Sequence, residues 1–187
     1  MKLVIGMTGA TGAIYGIRLL EVLREGGIET HLVLSKWAQA TIIMETSYSA
    51  ANVKALATRV YPVDNLAAAI ASGSFLMDGM IIVPCSMKTV ASIRIGLSDN
   101  LLTRAADVIL KEQKKLVLVP REAPLSEIHL ENMLSLARMG AVILPPMPAF
   151  YLLPKSIDDI VDHTVGRILD QFGIEHHLSR RWGDDAL

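Results

Sequence analysis

The stretch from Lys2 to Gly16, KLVIGMTGATGAIYG, constrains the fold of this chain more than any other. An apolar run (Leu3, Val4, Ile5) enters a loop carrying Gly6, Gly9 and Gly12, and helix-forming residues follow at once. Strand, tight glycine turn and helix N-terminus together make an anion site: the backbone comes close to a phosphate and the first helical N–H groups point at it. Thr8 and Thr11 are expected to add hydroxyl donors. The alternative is a glycine turn that only lets strand and helix pack.

The spacing narrows the ligand. It reads G-x-x-G-x-x-G, not the dinucleotide fingerprint G-x-G-x-x-G, and no Gly-Lys-Ser/Thr follows as in a nucleotide-triphosphate loop. A dinucleotide fold also places an acid after its second strand to hold a ribose hydroxyl. Here that strand, Thr30 to Leu34, ends in Ser35-Lys36. This favours a mononucleotide such as FMN and disfavours a nicotinamide oxidoreductase.

Strand and helix patterns alternate along the chain. Strands are expected at the N-terminal run, Thr30–Leu34, Gly79–Val83, Leu116–Val119 and Ala141–Leu144. Helices are expected at Ala13–Leu23, Lys36–Glu45, Ser49–Ala57, Ser86–Ile95, Leu101–Glu112, Ser126–Met139 and Ile157–Phe172, with a short one at Ala67–Ala71 in the poorly patterned Thr58–Ser74 region. Such alternation predicts an α/β fold with a doubly wound parallel sheet. It forms one domain over residues 1–187 with a short tail, 174–187. Ligands sit beyond the carboxyl ends of the strands, at Thr8–Gly12, Ser35-Lys36, Pro84–Thr89, Pro120–Pro124 and Pro145–Tyr151.

Composition excludes several classes. Hydrophobic residues are 51% of the chain and mean hydropathy is +0.40, yet no run reaches the ~18–20 apolar residues of a membrane span. The N-terminal run is too short for a signal peptide, so a cytoplasmic location is expected. The apolar excess points to oligomer interfaces. A net charge of −1 gives nucleic acid nothing to bind. Cys85 is the single cysteine and reads as packing, and His176-His177 reads as surface.

Further constellations lie in the loops. Cys85-Ser86-Met87-Lys88-Thr89 sets two hydroxyls and a cation at a helix start, either a second anion site or a simple N-cap. Arg121-Glu122 places a cation and a possible proton acceptor at the same sheet end. Arg104, Val108 and Lys111 share a helical stripe. Arg167 shares one with Ile160, Thr164 and Ile168, expected to pack inward, where an arginine needs an anion. Asp158-Asp159-Ile160-Val161-Asp162 spells DDxxD, a magnesium–diphosphate motif of all-helical prenyl synthases. Here the acids open a helix, where they suit the macrodipole, and no metal is expected.

Taken together, the segments GMTGATGAIYGIRLL, HLVLSKWA, SGSF, PCSMKT, LLTRAADVILKE, LVLVPREAPLSEIHLENML, GAVILPPMPAFY and the terminal Arg181-Trp182 resemble the flavin prenyltransferases of the UbiX/Pad family over nearly the whole length. The resemblance implies a flavodoxin-like Rossmann fold, a dodecamer built from trimers, and FMN at the trimer interface. It implies transfer of a dimethylallyl group from dimethylallyl phosphate to N5 and C6 of reduced FMN without a metal, the prenylated FMN passing to a UbiD-type decarboxylase.

By the same resemblance, Gly9, Ala10, Thr11, Ser35, Ser86, Met87, Lys88, Thr89 and Arg121 match flavin-binding positions. Glu45, Arg104, Lys111, Arg121, Glu122, Tyr151 and Arg167 match prenyl-phosphate and proton-transfer positions. Thr11, Glu45, Lys111, Glu122 and Tyr151 are the expected catalytic set. Many members carry serine where Thr11 stands. The SMKT loop and Ser35-Lys36-Trp37 lean toward the phenolic-acid branch rather than quinone synthesis. Two rivals remain, a flavodoxin-like cysteine decarboxylase, which uses a histidine base, and a non-catalytic flavin carrier.

Overall fold

The computed structural model describes residues 1–179 and Gly183. Arg181 and Trp182 lie outside the described residues. The N-terminal run forms β1 (Lys2–Met7), followed by α1 (Ala13–Glu25), β2 (Glu29–Leu34), α2 (Lys36–Glu45), α3 (Ala50–Leu56) and β3 (Arg59–Tyr61). A 3₁₀ turn (Ala69–Ala71) leads to β4 (Gly79–Cys85), α4 (Met87–Arg94), α5 (Leu101–Lys111) and β5 (Lys115–Pro120). The chain closes with α6 (Glu127–Arg138), β6 (Val142–Ile143), a second 3₁₀ turn (Phe150–Leu152) and α7 (Ile157–Asp170).

The six strands lie in the order β3-β2-β1-β4-β5-β6, all parallel. Apart from the three-residue edge strand β3, this is the flavodoxin order, in which successive strands are added in opposite directions on either side of the β1–β4 pair, opening a crevice there. β3 is the one strand absent from the sequence reading. Its Arg59 and Val60 are exposed, so it carries none of the continuous apolar pattern by which buried parallel strands are recognised.

Alternation along β1 builds two cores. Leu3, Ile5 and Met7 face α1, α2 and α7 through Ile17, Leu20, Ile42, Val165 and Ile168. Val4 faces the other way, toward Met80, Ile82, Leu102, Ala106 and Ile109 under α4 and α5. Described residues beyond α7 are packed on the fold. Ile174 and Leu178 pack on the first core, and the His176 side chain is only 4% exposed. The expectation of a surface His176 is therefore wrong, because its ring lies on the helix backbone at Gly166.

Six helices begin with a side-chain N-cap: Ser35, Ser49, Ser86, Asn100, Ser126 and Ser156. Each accepts a hydrogen bond from a backbone N–H that the helix cannot satisfy itself. Among the described helices α1 is the exception. Its N-cap is Gly12, left-handed at φ 102° and with no side chain to offer.

Candidate functional site

The missing cap of α1 is supplied from elsewhere in the fold. Glu45, the last residue of α2, accepts hydrogen bonds from Gly12 N (2.8 Å) and Ala13 N (3.1 Å) through Oε2. Burial would raise its carboxyl, but the Thr11 hydroxyl, the two backbone N–H groups and the nearby charge of Arg121 outweigh it and hold the group below the usual range. The anion expected at this helix N-terminus is thus, at Gly12 and Ala13, the protein's own carboxylate. Gly9 and Ala10 precede this cap, and the Thr11 hydroxyl is itself bonded to Glu45. The loop is pinned against α2, since a Cβ on Gly9 would fall 2.3 Å from Trp37 Cβ.

Thr8 does not face a ligand. It is buried, donates its hydroxyl to Pro84 O (2.8 Å) and accepts from Ser86 N (2.8 Å). The hydroxyl expected to bind an anion instead ties the ends of β1 and β4 together across the crevice. Ser86 caps α4 by accepting from Thr89 N (3.3 Å), with its hydroxyl 3.1 Å from Thr89 Oγ1. Ser35 caps α2 by accepting from Ala38 N (3.0 Å). Met87 and Thr89 are buried and Lys88 is exposed. Cys85 is fully buried, and burial pushes its thiol well above the ordinary range, which fits packing rather than nucleophilic work.

Arg121 closes the crevice from β5. Its backbone N donates to Cys85 O (3.3 Å) and its charge reaches Glu45. Glu122 beside it is exposed and accepts from Ala123 N (3.1 Å). Thr11, Ser35, Glu45, Ser86 and Arg121 are therefore gathered at one sheet end by the loops after β1, β2, β4 and β5.

The remaining cations and Tyr151 lie elsewhere in the single chain. Arg104 donates to Ala71 O (3.1 Å) and to Asp107 (2.6 Å). Lys111 ends α5 just before β5 begins, so it sits at the opposite end of the strands from the crevice, paired with Glu112. Tyr151 is exposed and meets His163 edge-on at 6.3 Å between ring centroids. Burial, and then the charge of Arg167, lowers the His163 pKa, and His163 Nδ1 is buried without a hydrogen-bond partner. Arg167 does not pack inward. Its side chain is 55% exposed, beside β6, and its anion is Asp170 Oδ2 at 3.0 Å. The buried face of α7 is Val161, Thr164, Val165, Ile168 and Leu169, whose centre is turned from Arg167 by about a third of a turn.

Two of the three DDxxD acids are engaged in the fold. Asp159 accepts from Lys155 N (2.7 Å) and Ser156 N (3.0 Å) at the start of α7. Asp162 pairs with Arg18 Nε on α1 (2.6 Å). Asp170 and His163 are the side chains here that sequence reasoning missed. The signal for Asp170 was its position three residues after Arg167 on a helix.

The chain matches the Flavoprotein family over residues 1–169. It is 63% identical over 182 residues to a probable UbiX-like flavin prenyltransferase of Bacillus subtilis, covering 97% of this chain and 89% of that protein. It is 58% identical to the mitochondrial flavin prenyltransferase PAD1 of Saccharomyces cerevisiae, over 97% of this chain and 75% of that one. Among solved structures, AnUbiX (PadA1) in complex with FMN and dimethylallyl pyrophosphate superposes with a TM-score of 0.97 at 55% identity, covering 99% and 98% of the two chains. A dodecameric FMN-dependent UbiX-like decarboxylase of Escherichia coli O157:H7 gives 0.96 at 63% identity, covering 97% and 99%. The peptidyl-cysteine decarboxylase EpiD, at 20% identity and a TM-score of 0.61, shares the fold alone. The chain belongs to the flavoprotein family and, within it, to the UbiX-like flavin prenyltransferases.

Proposed function

We propose that the protein transfers a dimethylallyl group from dimethylallyl phosphate to N5 and C6 of reduced FMN, and that the prenylated FMN serves a UbiD-type decarboxylase. The observation that carries this reading is the Glu45 carboxylate, held as an anion by Gly12, Ala13 and Thr11 beside Arg121 at the switch-point crevice. A flavin fits the donors around it. Gly9, Ala10, Thr11, Ser35, Ser86, Lys88, Thr89 and Arg121 offer N–H, hydroxyl and cationic groups at one sheet end, while the buried Met87 offers its backbone. Bound FMN supplies the ring nitrogen and carbon that are alkylated.

The protein's own residues then divide the work. Arg104, Lys111, Arg121 and Arg167 bind and neutralise the phosphate, a task suited to guanidinium and ammonium groups that spares a metal ion, and Tyr151 adds a hydroxyl donor. Glu122 takes the proton lost at ring closure. Lys111 and Arg167 stand away from the crevice of their own chain, so neighbouring copies complete each site. Exposed Ile128, Leu130 and Leu134 on α6, and Phe150 and Leu153 in the loop before α7, offer apolar surface for that assembly. Among the described residues no helix is long and apolar enough to cross a membrane, and a cytoplasmic location is proposed, to be checked by fractionation.

The test is anaerobic incubation with reduced FMN and dimethylallyl phosphate, followed by mass spectrometry of the extracted flavin. The expected product is FMN carrying one cyclised five-carbon unit. Recovery of unmodified FMN alone would contradict the reading.

A further inference from the structure

One chain of contacts runs from the interior to Arg167. Glycine at 166 leaves the backbone of α7 bare, and the ring of His176 lies on it: a Cβ there would fall 2.6 Å from His176 Cε1. The side chain is 4% exposed. Its Nδ1 accepts from Leu178 N (3.4 Å), so Nδ1 carries no proton and Nε2 carries the ring's hydrogen. That N–H donates to Asp170 Oδ1 (3.2 Å). The other oxygen, Oδ2, accepts from Arg167 Nη1 (3.0 Å). Exposure rises along the relay, from 4% at His176 through 17% at Asp170 to 55% at Arg167.

An exposed arginine paired only with an acid three residues on is weakly held, because both side chains rotate freely in water. Here the acid is clamped by a buried imidazole that cannot turn without losing the Leu178 N–H. The Arg167 side chain lines a cavity of about 360 Å³ together with Leu144, Pro145, Met147, His163 and Thr164. We infer that His176 and Asp170 are positioning residues that aim Arg167 at the phosphate of the prenyl donor, joining the segment after α7 to the substrate site. This rests on the reading above that Arg167 binds that phosphate.

The alternative is simple competition, in which Asp170 neutralises Arg167 and weakens its hold on a phosphate. The two pictures predict opposite signs. Positioning predicts that Asp170→Asn raises the KM for dimethylallyl phosphate about tenfold, with kcat and FMN affinity little changed. His176→Ala should do the same, whereas His176→Gln, which keeps an N–H donor at similar reach, should restore the wild-type KM. In an Arg167→Ala background the Asp170 substitution should add nothing, since both act through one group. Gly166→Ala, which displaces the ring while leaving all three partners in place, guards against a variant that fails to fold. The NMR signature of His176 should be the neutral Nε2–H tautomer.

A KM that is unchanged or lower in Asp170→Asn overturns the inference, as does full additivity with Arg167→Ala or an Nδ1–H tautomer. If Arg167→Ala raises KM while Asp170→Asn and His176→Ala do not, the phosphate reading stands and the relay alone fails. If Arg167→Ala leaves KM unchanged, the phosphate role of Arg167 fails and the positioning inference falls with it.

Discussion

The crevice between β1 and β4 and the edge beside β6 are built differently. At the crevice the polar groups are already spoken for. Glu45 caps α1, Thr8 joins β1 to β4, and Ser35 and Ser86 cap α2 and α4. At the β6 edge Arg167 and Tyr151 are exposed, as is Glu122 in the loop after β5, and α6 buries only Leu136 of its own residues. By contrast α5 buries Leu101, Leu102, Thr103, Ala105, Ala106, Val108 and Ile109. A flavin ring needs a rigid, pre-arranged seat, and local contacts make one. A phosphate held by cations from several elements needs surfaces that close only on assembly. On the proposed reading, the first region is what one copy completes and the second is what its neighbours join.

The largest effect should come from the exposed half. Glu122→Gln keeps the shape of the side chain but cannot take a proton. Turnover measured by flavin mass spectrometry should fall ~10²- to 10⁴-fold with FMN retention preserved. A wild-type rate would move the proton step to Glu45 or to the released phosphate.

Thr8→Val sharpens the other side of the comparison. It strips a buried hydroxyl from both Pro84 O and Ser86 N, a loss of about 1–3 kcal/mol in denaturant unfolding. A neutral result would mean that the crevice is not pre-arranged by this bond.

Glu45→Gln should cost about 1 kcal/mol of stability by weakening the α1 cap. It should also change the acid limb of the stability profile. The folded carboxyl is held below its unfolded value, so its contribution is present above the unfolded value and is lost as pH falls through the folded one. Wild type should lose stability on acidification in that window, and Glu45→Gln should lose less. Parallel acid limbs would contradict the assignment.

The smallest expected effect is none. Activity should survive EDTA, because Asp159 is bound to the backbone just before α7 and Asp162 to Arg18. A magnesium requirement that Asp159→Ala abolishes would break the reading.

What the sequence made legible follows from range. α2 was expected at Lys36–Glu45 and stands there, because its cap and its apolar spacing are local signals. β3 escaped, since a short edge strand buries too little to carry a period. The Gly9–Gly12 turn announced an anion at α1, but which anion was a long-range fact: Glu45 is distant in the chain and only the β2–α2 connection brings it there. Thr8 looked like a ligand donor because a buried bond between two strand ends leaves no trace in the sequence. Three neighbours on a helical stripe predict an inward Arg167, whereas the full buried set of α7 turns it outward. His176 read as surface because a histidine pair is polar on average, while the bare backbone at Gly166 that receives its ring shows only in three dimensions.

The central claim is that each site joins the crevice of one copy to cations from another, and mixed oligomers test it most directly. Glu45→Gln and Lys111→Ala should each be nearly inactive alone. Co-expressed in equal amounts with distinguishable tags and purified as mixed assemblies, they should recover about a quarter of wild-type prenyl transfer, the share of sites that draw both intact halves. Mixed assemblies no more active than the two variants apart would show that each chain builds its site alone, and would contradict the account.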